Sequence, residues 1–264
     1  MINEQLLHAV QDIARDAGNA ILSVYNTDFD VENKADDSPL TQADLAAHRI
    51  ISAGLRALDA ELPILSEEGT DAESEDRRSW ERFWLVDPLD GTKEFINRNG
   101  EFTVNIALID AGQPVLGVVH APALGATYLA AAGIGAFRDD SEGRRPIGTR
   151  RAPERPAFVV SRSHQDEALQ ALLAKLPAHD AVSTGSSLKF CLVAEGAADL
   201  YPRTGPTSEW DTGAGQCVAE IAGARVATLP EMTPMRYNQR DTLLNPGFVV
   251  IGDPDASWVD QLGG

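Results

Sequence analysis

The sequence predicts a protein of mixed α and β structure, with an α+β N-terminal part followed by an α/β C-terminal part. Two amphipathic helical patterns open the chain, and apolar strand patterns separated by turn residues follow over residues 102–137. Strand and helix patterns then alternate from residue 158 to residue 251, which is typical of a layered α/β architecture. With 264 residues, the chain can form one large domain or two modest ones.

The first helix is predicted over residues 4–25, where apolar residues recur at helical spacing. The polar residues 30–40 predict a loop. A second helix is predicted from an N-cap at Thr41 to about Asp59. Asp44 lies three residues after Thr41, and this position suits a capping-box partner and a site residue equally well.

Acidic residues stand where two predicted strands end. Glu67 follows a short strand over residues 63–66, and Asp87 follows the aromatic strand over residues 83–86. For a single acid of this kind, a solvated strand end or a capped turn is the simpler interpretation.

The turn after the aromatic strand reads D-P-L-D-G-T over residues 87–92. Pro88 favours extended geometry before it, and Gly91 permits a very tight turn. Such a turn can aim the carboxylates of Asp87 and Asp90, with the Leu89 carbonyl between them, at one point. Oxygen ligands without nearby cysteine or histidine suit a hard cation such as Mg²⁺.

The middle of the chain predicts antiparallel strands and then a boundary. Candidate strands cover residues 115–120, 127–131 and 135–137. The charged, Pro- and Gly-rich residues 138–156 predict a domain boundary. We therefore expect an α+β metal-binding domain over residues 1–150 and an α/β substrate-binding domain over residues 151–264.

The second half carries the alternating pattern. Strands are predicted over residues 158–161, 181–184, 199–201 and 247–251, and helices over residues 165–176, 186–195 and 209–222. Ser186 is the expected cap of the second of these helices. The run Ser186, Ser187 and Lys189 fits a phosphate seat or a plain N-cap with a surface lysine equally well. Asp211 lies in the first turn of the last helix, where capping is the alternative to a site role.

The net charge of −18 disfavours binding to nucleic acid polymers or anionic lipid, which requires many basic residues. A small anionic substrate stays compatible, because bound metal ions supply positive charge. Cys191 and Cys217 lie in helix-like apolar runs, which favours buried free thiols over a disulfide. His8, His48, His120 and His179 are interpreted as surface or packing residues.

Neither a signal peptide nor a membrane span is predicted. The first residues lack a basic region followed by a continuous apolar stretch, and no apolar run is long enough to cross a bilayer. These features predict a cytoplasmic location without stable membrane insertion, and peripheral contact with the inner face of the cell membrane stays open.

Several motifs resemble the inositol-monophosphatase superfamily of Mg²⁺-dependent, lithium-sensitive phosphatases. The pattern W-x-x-D-P-x-D-G-T matches residues 84–92, and W-D-x-x-x-G matches residues 210–215. The runs L-S-E-E-G, G-S-S-L-K-F-C and Y-P-R-x-G-P-T are most similar to the CysQ-type 3′(2′),5′-bisphosphate nucleotidases. The resemblance covers roughly residues 5 to 250 and implies a layered αβαβα sandwich of the inositol-monophosphatase/fructose-1,6-bisphosphatase type.

The resemblance also implies metal ligands and catalytic groups. Glu67, Asp87 and the Leu89 carbonyl are the expected ligands of a first Mg²⁺, and Asp87, Asp90 and Asp211 those of a second. Thr92, with Asp44 or Glu67, is expected to orient the attacking water, and Asp44 to assist a third, weaker metal. The expected substrate-binding residues are Glu67, Leu89, Asp90, Gly91, Thr92, Arg162, His164, Ser186, Ser187, Lys189, Arg203 and Asp211.

The function implied is removal of the 3′-phosphate from adenosine 3′,5′-bisphosphate, with 3′-phosphoadenylyl sulfate as a second substrate, in sulfur assimilation and nucleotide recycling. An inositol-monophosphate or fructose-1,6-bisphosphate phosphatase of the same fold is the alternative enzyme. A non-catalytic nucleotide or metal sensor is the alternative of another class, and a homodimer stays open.

Overall fold

A computed structural model describes residues 2–27, 39–69, 76–160 and 166–263, without the side chains of residues 39–41. The described residues form two β-sheets and six helices. The helices are α1 (Glu4–Tyr25), α2 (Pro39–Leu58), α3 (Thr92–Ile96), α4 (Glu167–Leu173), α5 (Leu188–Ala194) and α6 (Gly213–Ile221). None of these helices is long and apolar enough to cross a membrane.

The first sheet has seven strands in the order of the chain. They are β1 (Ile64–Ser66), β2 (Arg82–Asp90), β3 (Thr103–Asp110), β4 (Gln113–Ala121), β5 (Ala126–Ala131), β6 (Gly135–Asp140) and β7 (Gly143–Pro146). β1 and β2 pair in parallel, and all later pairs are antiparallel. The parallel pair is the one that positions the site, because parallel strands end at the same edge of a sheet.

The second sheet has five strands in the order β11, β12, β10, β8, β9. These are β8 (Ala157–Val159), β9 (Asp180–Val182), β10 (Leu200–Arg203), β11 (Arg225–Thr228) and β12 (Phe248–Ile251). β8 pairs in parallel with β9 and β10, whereas β12 pairs antiparallel with β10 and β11.

Alternation along β2 separates the two faces of the first sheet. Trp84 and Val86 pack under α1 and α2, whereas Phe83 and Leu85 face a second core that contains α5 and α6. Close approach of α6 requires a glycine on the sheet, since a Cβ on Gly117 would lie 2.6 Å from the backbone oxygen of Ala214.

The inner helices also contact the second sheet. Phe190 of α5 stacks on Phe248 of β12, with ring centroids 5.6 Å apart. The other face of that sheet packs against Leu172 and Leu173 of α4 and against Trp258 near the C-terminus. The layers are thus helices, sheet, helices, sheet and helix, which confirms the expected αβαβα sandwich.

Several element boundaries were predicted wrongly. α2 begins at Pro39, so Thr41 lies inside the helix and is not its N-cap. Ser187, not Ser186, precedes α5, and Ser186 has a left-handed φ of 45°. α6 begins at Gly213, because residues 209–212 form a separate turn. The strands β7 and β11 were not predicted.

The loop expected at residues 30–40 falls largely outside the described residues. The first sheet ends at Pro146 and the second begins at Ala157. One buried hydrophobic cluster contains residues from both halves of the chain. The division into domains over residues 1–150 and 151–264 stays a prediction.

Candidate active site

The end of β2 carries two carboxylates on an irregular stretch of strand. Asp87 pairs with Asn105 of β3 and Asp90 pairs with Thr103, so two residues of β2 oppose one residue of β3. The backbone N–H of Leu89 donates to Asp87 Oδ1 at 3.0 Å. This bulge explains how acids three residues apart face one space, which regular alternation of side chains would not allow.

Gly91 ends the bulge and starts α3 at Thr92. It has a φ of 96°, which favours glycine, and a Cβ there would lie 3.2 Å from both the Glu101 carbonyl and Ser186 Cβ. The two halves of the chain meet at this point, because Ser186 precedes α5. A larger residue at position 91 would have a strained φ and would require a neighbour to move by a few tenths of an ångström.

Glu67 reaches the same space from the neighbouring parallel strand. It follows β1, and its backbone N–H donates to the Val86 carbonyl at 3.2 Å. Burial raises the pKa of Glu67 above its ordinary value, and the charges of Glu68 and Asp90 raise it further, whereas the neighbouring Asp87 side chain lowers it.

Asp211 comes from the second half of the chain. It lies in the turn before α6, where the Ser208 backbone N–H donates to Asp211 Oδ2 at 2.8 Å. Burial, followed by the charge of Asp90, raises the pKa of Asp211 to about 7. Asp211 therefore fixes its own turn and also faces the other acids.

Asp44 reaches the cluster from α2. Because α2 begins at Pro39, Asp44 lies too far along the helix to act as a capping-box partner. Its Oδ1 atom is buried and has no hydrogen-bond partner in the part of the chain that the structure describes. Burial, followed by the charges of Glu68 and Glu67, raises the pKa of Asp44 to about 8. The capping-box role is therefore wrong, and the site role of Asp44 stays a prediction.

Asp87 stands at the centre of this acidic cluster, which we define as Asp44, Glu67, Asp87, Asp90 and Asp211. Burial raises the pKa of Asp87 well above its ordinary value, and the charges of the four other acids raise it further. Burial also raises the pKa of Asp90, whereas the positive charge of Lys189 lowers it.

The donor set of the acidic cluster fits hard divalent cations. It offers carboxylate oxygens and one unpartnered buried oxygen, Asp44 Oδ1, and like charges held this close require positive charge between them. No three acidic, histidine or cysteine side chains of the described residues already surround a single ion-sized point. The cluster is therefore a converging set of ligands rather than a closed cage.

A cleft adjoins the acidic cluster and shares Asp90 and Asp211 with it. Of the predicted residues, Asp90, Gly91, Ser186, Lys189, Arg203 and Asp211 line this cleft. Ser187 is buried and donates to Asp90 Oδ2 at 3.0 Å, so it supports the cluster from behind. Arg162 and His164 lie outside the described residues.

The cleft carries positive charge opposite the acids. Lys189 Nζ donates to the Ser186 carbonyl at 3.1 Å, and burial lowers the pKa of Lys189 while the charge of Asp90 raises it. Arg203 has a buried Nε without a hydrogen-bond partner among the described residues. These two cations give an anionic ligand a place to bind beside the acidic cluster.

Other functional candidates were not predicted. Lys93, Glu94, Thr184, Tyr201 and Thr207 also line the cleft. The signal for the first two was present, since they directly follow the D-G-T turn.

Within the described part of the chain, the cysteines and histidines take no part in the acidic cluster. Cys191 and Cys217 are buried free thiols, as predicted. His120 is buried against Thr127, and burial lowers its pKa to about 4. His48 Nδ1 lies 2.9 Å from the hydroxyl of Ser66, the residue before Glu67.

The sequence profile of the inositol monophosphatase family matches residues 2–252. The chain belongs to the inositol monophosphatase family. Within this family it is 53% identical over 247 residues to the 3′(2′),5′-bisphosphate nucleotidase CysQ of Escherichia coli K12, covering 93% of this chain and 99% of that protein. It is 40% identical over 261 residues to the CysQ nucleotidase of Haemophilus influenzae, covering 97% and 96% of the two chains.

Solved structures of this family agree with the fold. The crystal structure of CysQ from Bacteroides thetaiotaomicron has a TM-score of 0.85 at 42% identity and covers 94% of this chain and 97% of that one. An inositol monophosphatase from Zymomonas mobilis has a TM-score of 0.80 at 22% identity, covering 98% of both chains. The second likeness concerns the fold alone.

Proposed function

We propose that this chain is a Mg²⁺-dependent phosphatase that removes the 3′-phosphate of adenosine 3′,5′-bisphosphate, giving AMP and phosphate. The observation that carries the proposal is the acidic cluster opening onto a cleft lined by Lys189 and Arg203. A substrate with two phosphate groups suits this arrangement of acids and basic side chains. One phosphate would bind to cations held by the acidic cluster, and the other would bind to the basic side chains of the cleft. The similarity to CysQ nucleotidases supports the same substrate.

Within this proposal, Glu67, Asp87 and the Leu89 carbonyl hold a first Mg²⁺, and Asp87, Asp90 and Asp211 hold a second. Asp44 assists a third. Bound Mg²⁺ supplies the positive charge that lowers the pKa of a water molecule and offsets the charge of the phosphoryl oxygens.

The protein's own residues position the reactants. Thr92, with Asp44 or Glu67, orients the attacking water, and Asp44 Oδ1 is a buried acceptor still available for this purpose. Gly91, Ser186, Lys189 and Arg203 hold the substrate in the cleft. Phosphoryl transfer needs mainly in-line positioning and charge stabilisation, so no covalent nucleophile is required.

The test is Mg²⁺-dependent phosphate release across four substrates: adenosine 3′,5′-bisphosphate, 3′-phosphoadenylyl sulfate, inositol monophosphate and fructose 1,6-bisphosphate. We expect the highest kcat/KM with adenosine 3′,5′-bisphosphate and measurable release from 3′-phosphoadenylyl sulfate. Equal or higher kcat/KM with the inositol or fructose substrate contradicts the proposed substrate. Binding of the nucleotide without phosphate release favours a sensor.

Three further expectations belong to this proposal. Millimolar lithium inhibits phosphate release, as the family resemblance implies. The enzyme acts in the cytoplasm, in sulfur assimilation and nucleotide recycling. Its partner is a small phosphorylated nucleotide, and sedimentation of the purified protein distinguishes a monomer from a homodimer.

A further inference from the structure

A chain of buried polar side chains lies directly behind Asp90. It consists of Thr103 and Asn105 on β3 and Ser187 before α5, with exposed fractions of 0%, 1% and 2%. Asn105 Nδ2 lies 2.9 Å from Ser187 Oγ and 3.4 Å from Asp90 Oδ2. Buried polar groups of this kind are costly unless every one is hydrogen-bonded, so their arrangement is constrained.

The surroundings fix the orientation of the Asn105 amide. Its Oδ1 accepts from Thr103 Oγ1 at 3.1 Å, and its Nδ2 faces the carboxylate of Asp90. The reversed amide would place a carbonyl oxygen against that carboxylate, and two acceptors would then face each other. Asn105 therefore presents a donor to the acidic cluster, and a carboxylate side chain at this position would not.

Ser187 has one hydroxyl hydrogen and two acceptors within reach. These are Asp90 Oδ2 at 3.0 Å and the Asp211 carbonyl at 2.7 Å. Because Asn105 donates to Ser187 Oγ, the hydrogen of Ser187 is directed away from Asn105 and toward these two acceptors. One hydroxyl thus connects the end of β2 with the turn that carries Asp211, two segments from different halves of the chain.

We propose that Asn105 is a positioning residue for cation binding. Its amide holds the Ser187 hydroxyl and the Asp90 carboxylate in the orientation that faces the other acids. This inference rests on the proposed function, in which the acidic cluster binds Mg²⁺. Without Asn105, Asp90 loses one donor, and the Ser187 hydroxyl that also donates to Asp90 loses the hydrogen bond that directs it. Repulsion from the neighbouring acids then moves the Asp90 carboxylate away from them.

Thr103 continues the chain toward the cleft. Its Oγ1 lies 3.2 Å from Ser186 Oγ, and Ser186 lines the cleft. Thr103 holds Asn105 but does not contact Asp90, so its contribution to cation binding is indirect and smaller.

The test measures binding of Mg²⁺ alone, without substrate, by titration calorimetry. Removing a residue that orients a metal ligand typically weakens metal binding by roughly 10–100-fold. We expect Asn105→Leu, which keeps the volume but loses both donors, to weaken Mg²⁺ binding within that range. Thr103→Val should weaken it less. Ser187→Ala should weaken it as Asn105→Leu does, and the double variant should add little, because both side chains orient the same Asp90 carboxylate.

Gln216→Met is the matched control. Gln216 is a buried amide that accepts from Tyr237 at 2.7 Å and donates to the Met235 carbonyl at 3.2 Å, and neither partner belongs to the acidic cluster. Its loss lowers stability without touching a cation ligand. We expect this variant to unfold at lower urea concentration and to bind Mg²⁺ as the wild-type protein does.

Two results overturn the proposal. One is unchanged Mg²⁺ affinity in Asn105→Leu, and the other is equal loss in Asn105→Leu and Gln216→Met, which would show a general effect of stability. If Asn105→Leu does not fold, Thr103→Val and Ser187→Ala test the proposal instead. Unchanged Mg²⁺ affinity in both of these variants overturns the proposal. Wild-type protein that binds Mg²⁺ but releases no phosphate from the nucleotide contradicts the proposed function and leaves this inference standing.

Discussion

Two groups of acids in this chain differ in what surrounds them. In the acidic cluster, five carboxylates face one another, and burial with mutual repulsion raises the pKa values. At the edge formed by β6 and β7, Asp140 binds Arg145 through two contacts of 2.8 and 2.9 Å. Hydrogen bonds from Arg145 lower the pKa of Asp140 well below its ordinary value.

The paired group extends into a network. Arg138 joins Asp140 at 2.8 Å to Glu195 at 2.8 Å, and Tyr128 also donates to Glu195. Every acid there has a basic partner from the chain itself, so the network is complete and connects β5, β6 and β7 to the end of α5.

The two groups differ in whether basic side chains of the same protein neutralise the carboxylates. Carboxylates that lack partners destabilise the folded state, and a chain retains them where something else supplies the positive charge. Lys189 offsets part of the charge on Asp90 only. We therefore interpret the acidic cluster as a binding site and the network around Asp140 as structural.

The largest expected effect comes from Asp90→Asn. The amide removes one charge from the acidic cluster, and we expect phosphate release to fall by about a thousandfold or more, since electrostatic stabilisation is the main catalytic term. Stability should change little, because Ser187 can still donate to the new side-chain oxygen. Phosphate release and urea unfolding measure the two quantities.

Asp140→Asn is the control for that variant. It removes a carboxylate that two arginines bind, so we expect lower stability and unchanged phosphate release. Near-normal phosphate release in Asp90→Asn would show that Asp90 is not needed for catalysis. The acidic cluster could then not be distinguished from the network around Asp140 by its function.

Mg²⁺ should stabilise the folded protein without any substrate. A ligand that binds only the folded state adds about 2.7 kcal/mol to the free energy of unfolding at 100 times its dissociation constant. We expect a rise of the melting temperature with Mg²⁺ in the wild-type protein and little rise in Asp211→Asn. Equal shifts in both proteins would show that Mg²⁺ binds elsewhere.

The metal-free protein should lose stability as pH rises. The pKa of Asp44 is raised from 3.8 to about 8 and that of Asp211 from 3.8 to about 7. At a pH between the ordinary pKa of 3.8 and the raised pKa of each group, the folded state holds a proton that the unfolded chain has released. The free energy of unfolding therefore falls as pH increases through this range. Asp140 has the opposite sign, because its pKa is lowered and its contribution is lost as pH falls.

Urea unfolding at about pH 5 and about pH 8, without Mg²⁺ and with it, measures this effect. Mg²⁺ should restore most of the stability lost at the higher pH, because it requires ionised carboxylates. A metal-free protein that is more stable at the higher pH would contradict the raised pKa values of the acidic cluster.

The sequence predicted those acids of the cluster whose positions follow from the ends of strands. Glu67, Asp87 and Asp90 follow or end strands, and parallel strands bring their ends together. Asp211 had a weaker local signal, the first turn of a predicted helix, where capping was the alternative, and its role as a metal ligand was expected from the resemblance. Asn105 could not be predicted, because it lies within an otherwise apolar strand and its partner Ser187 is 82 residues away.

The missed elements have a physical reason as well. β7 is a charged edge strand, and edge strands are often polar because their outer side faces water. Its sequence therefore resembles a linker. The start of α2 was placed too late, since Thr41 is a good capping residue and Pro39 was assigned to the preceding loop.

The smallest expected effect is that of Arg145→Met. Arg145 is 39% exposed, and Asp140 keeps Arg138 as a partner after the change. Partly exposed ion pairs contribute about 0.2–1 kcal/mol, so the free energy of unfolding should fall within that range, with phosphate release and Mg²⁺ affinity unchanged. Urea unfolding and calorimetry measure both. If this variant weakened Mg²⁺ binding, the charge network on β6 and β7 would be coupled to the acidic cluster across α5, and the two groups could not be treated as separate.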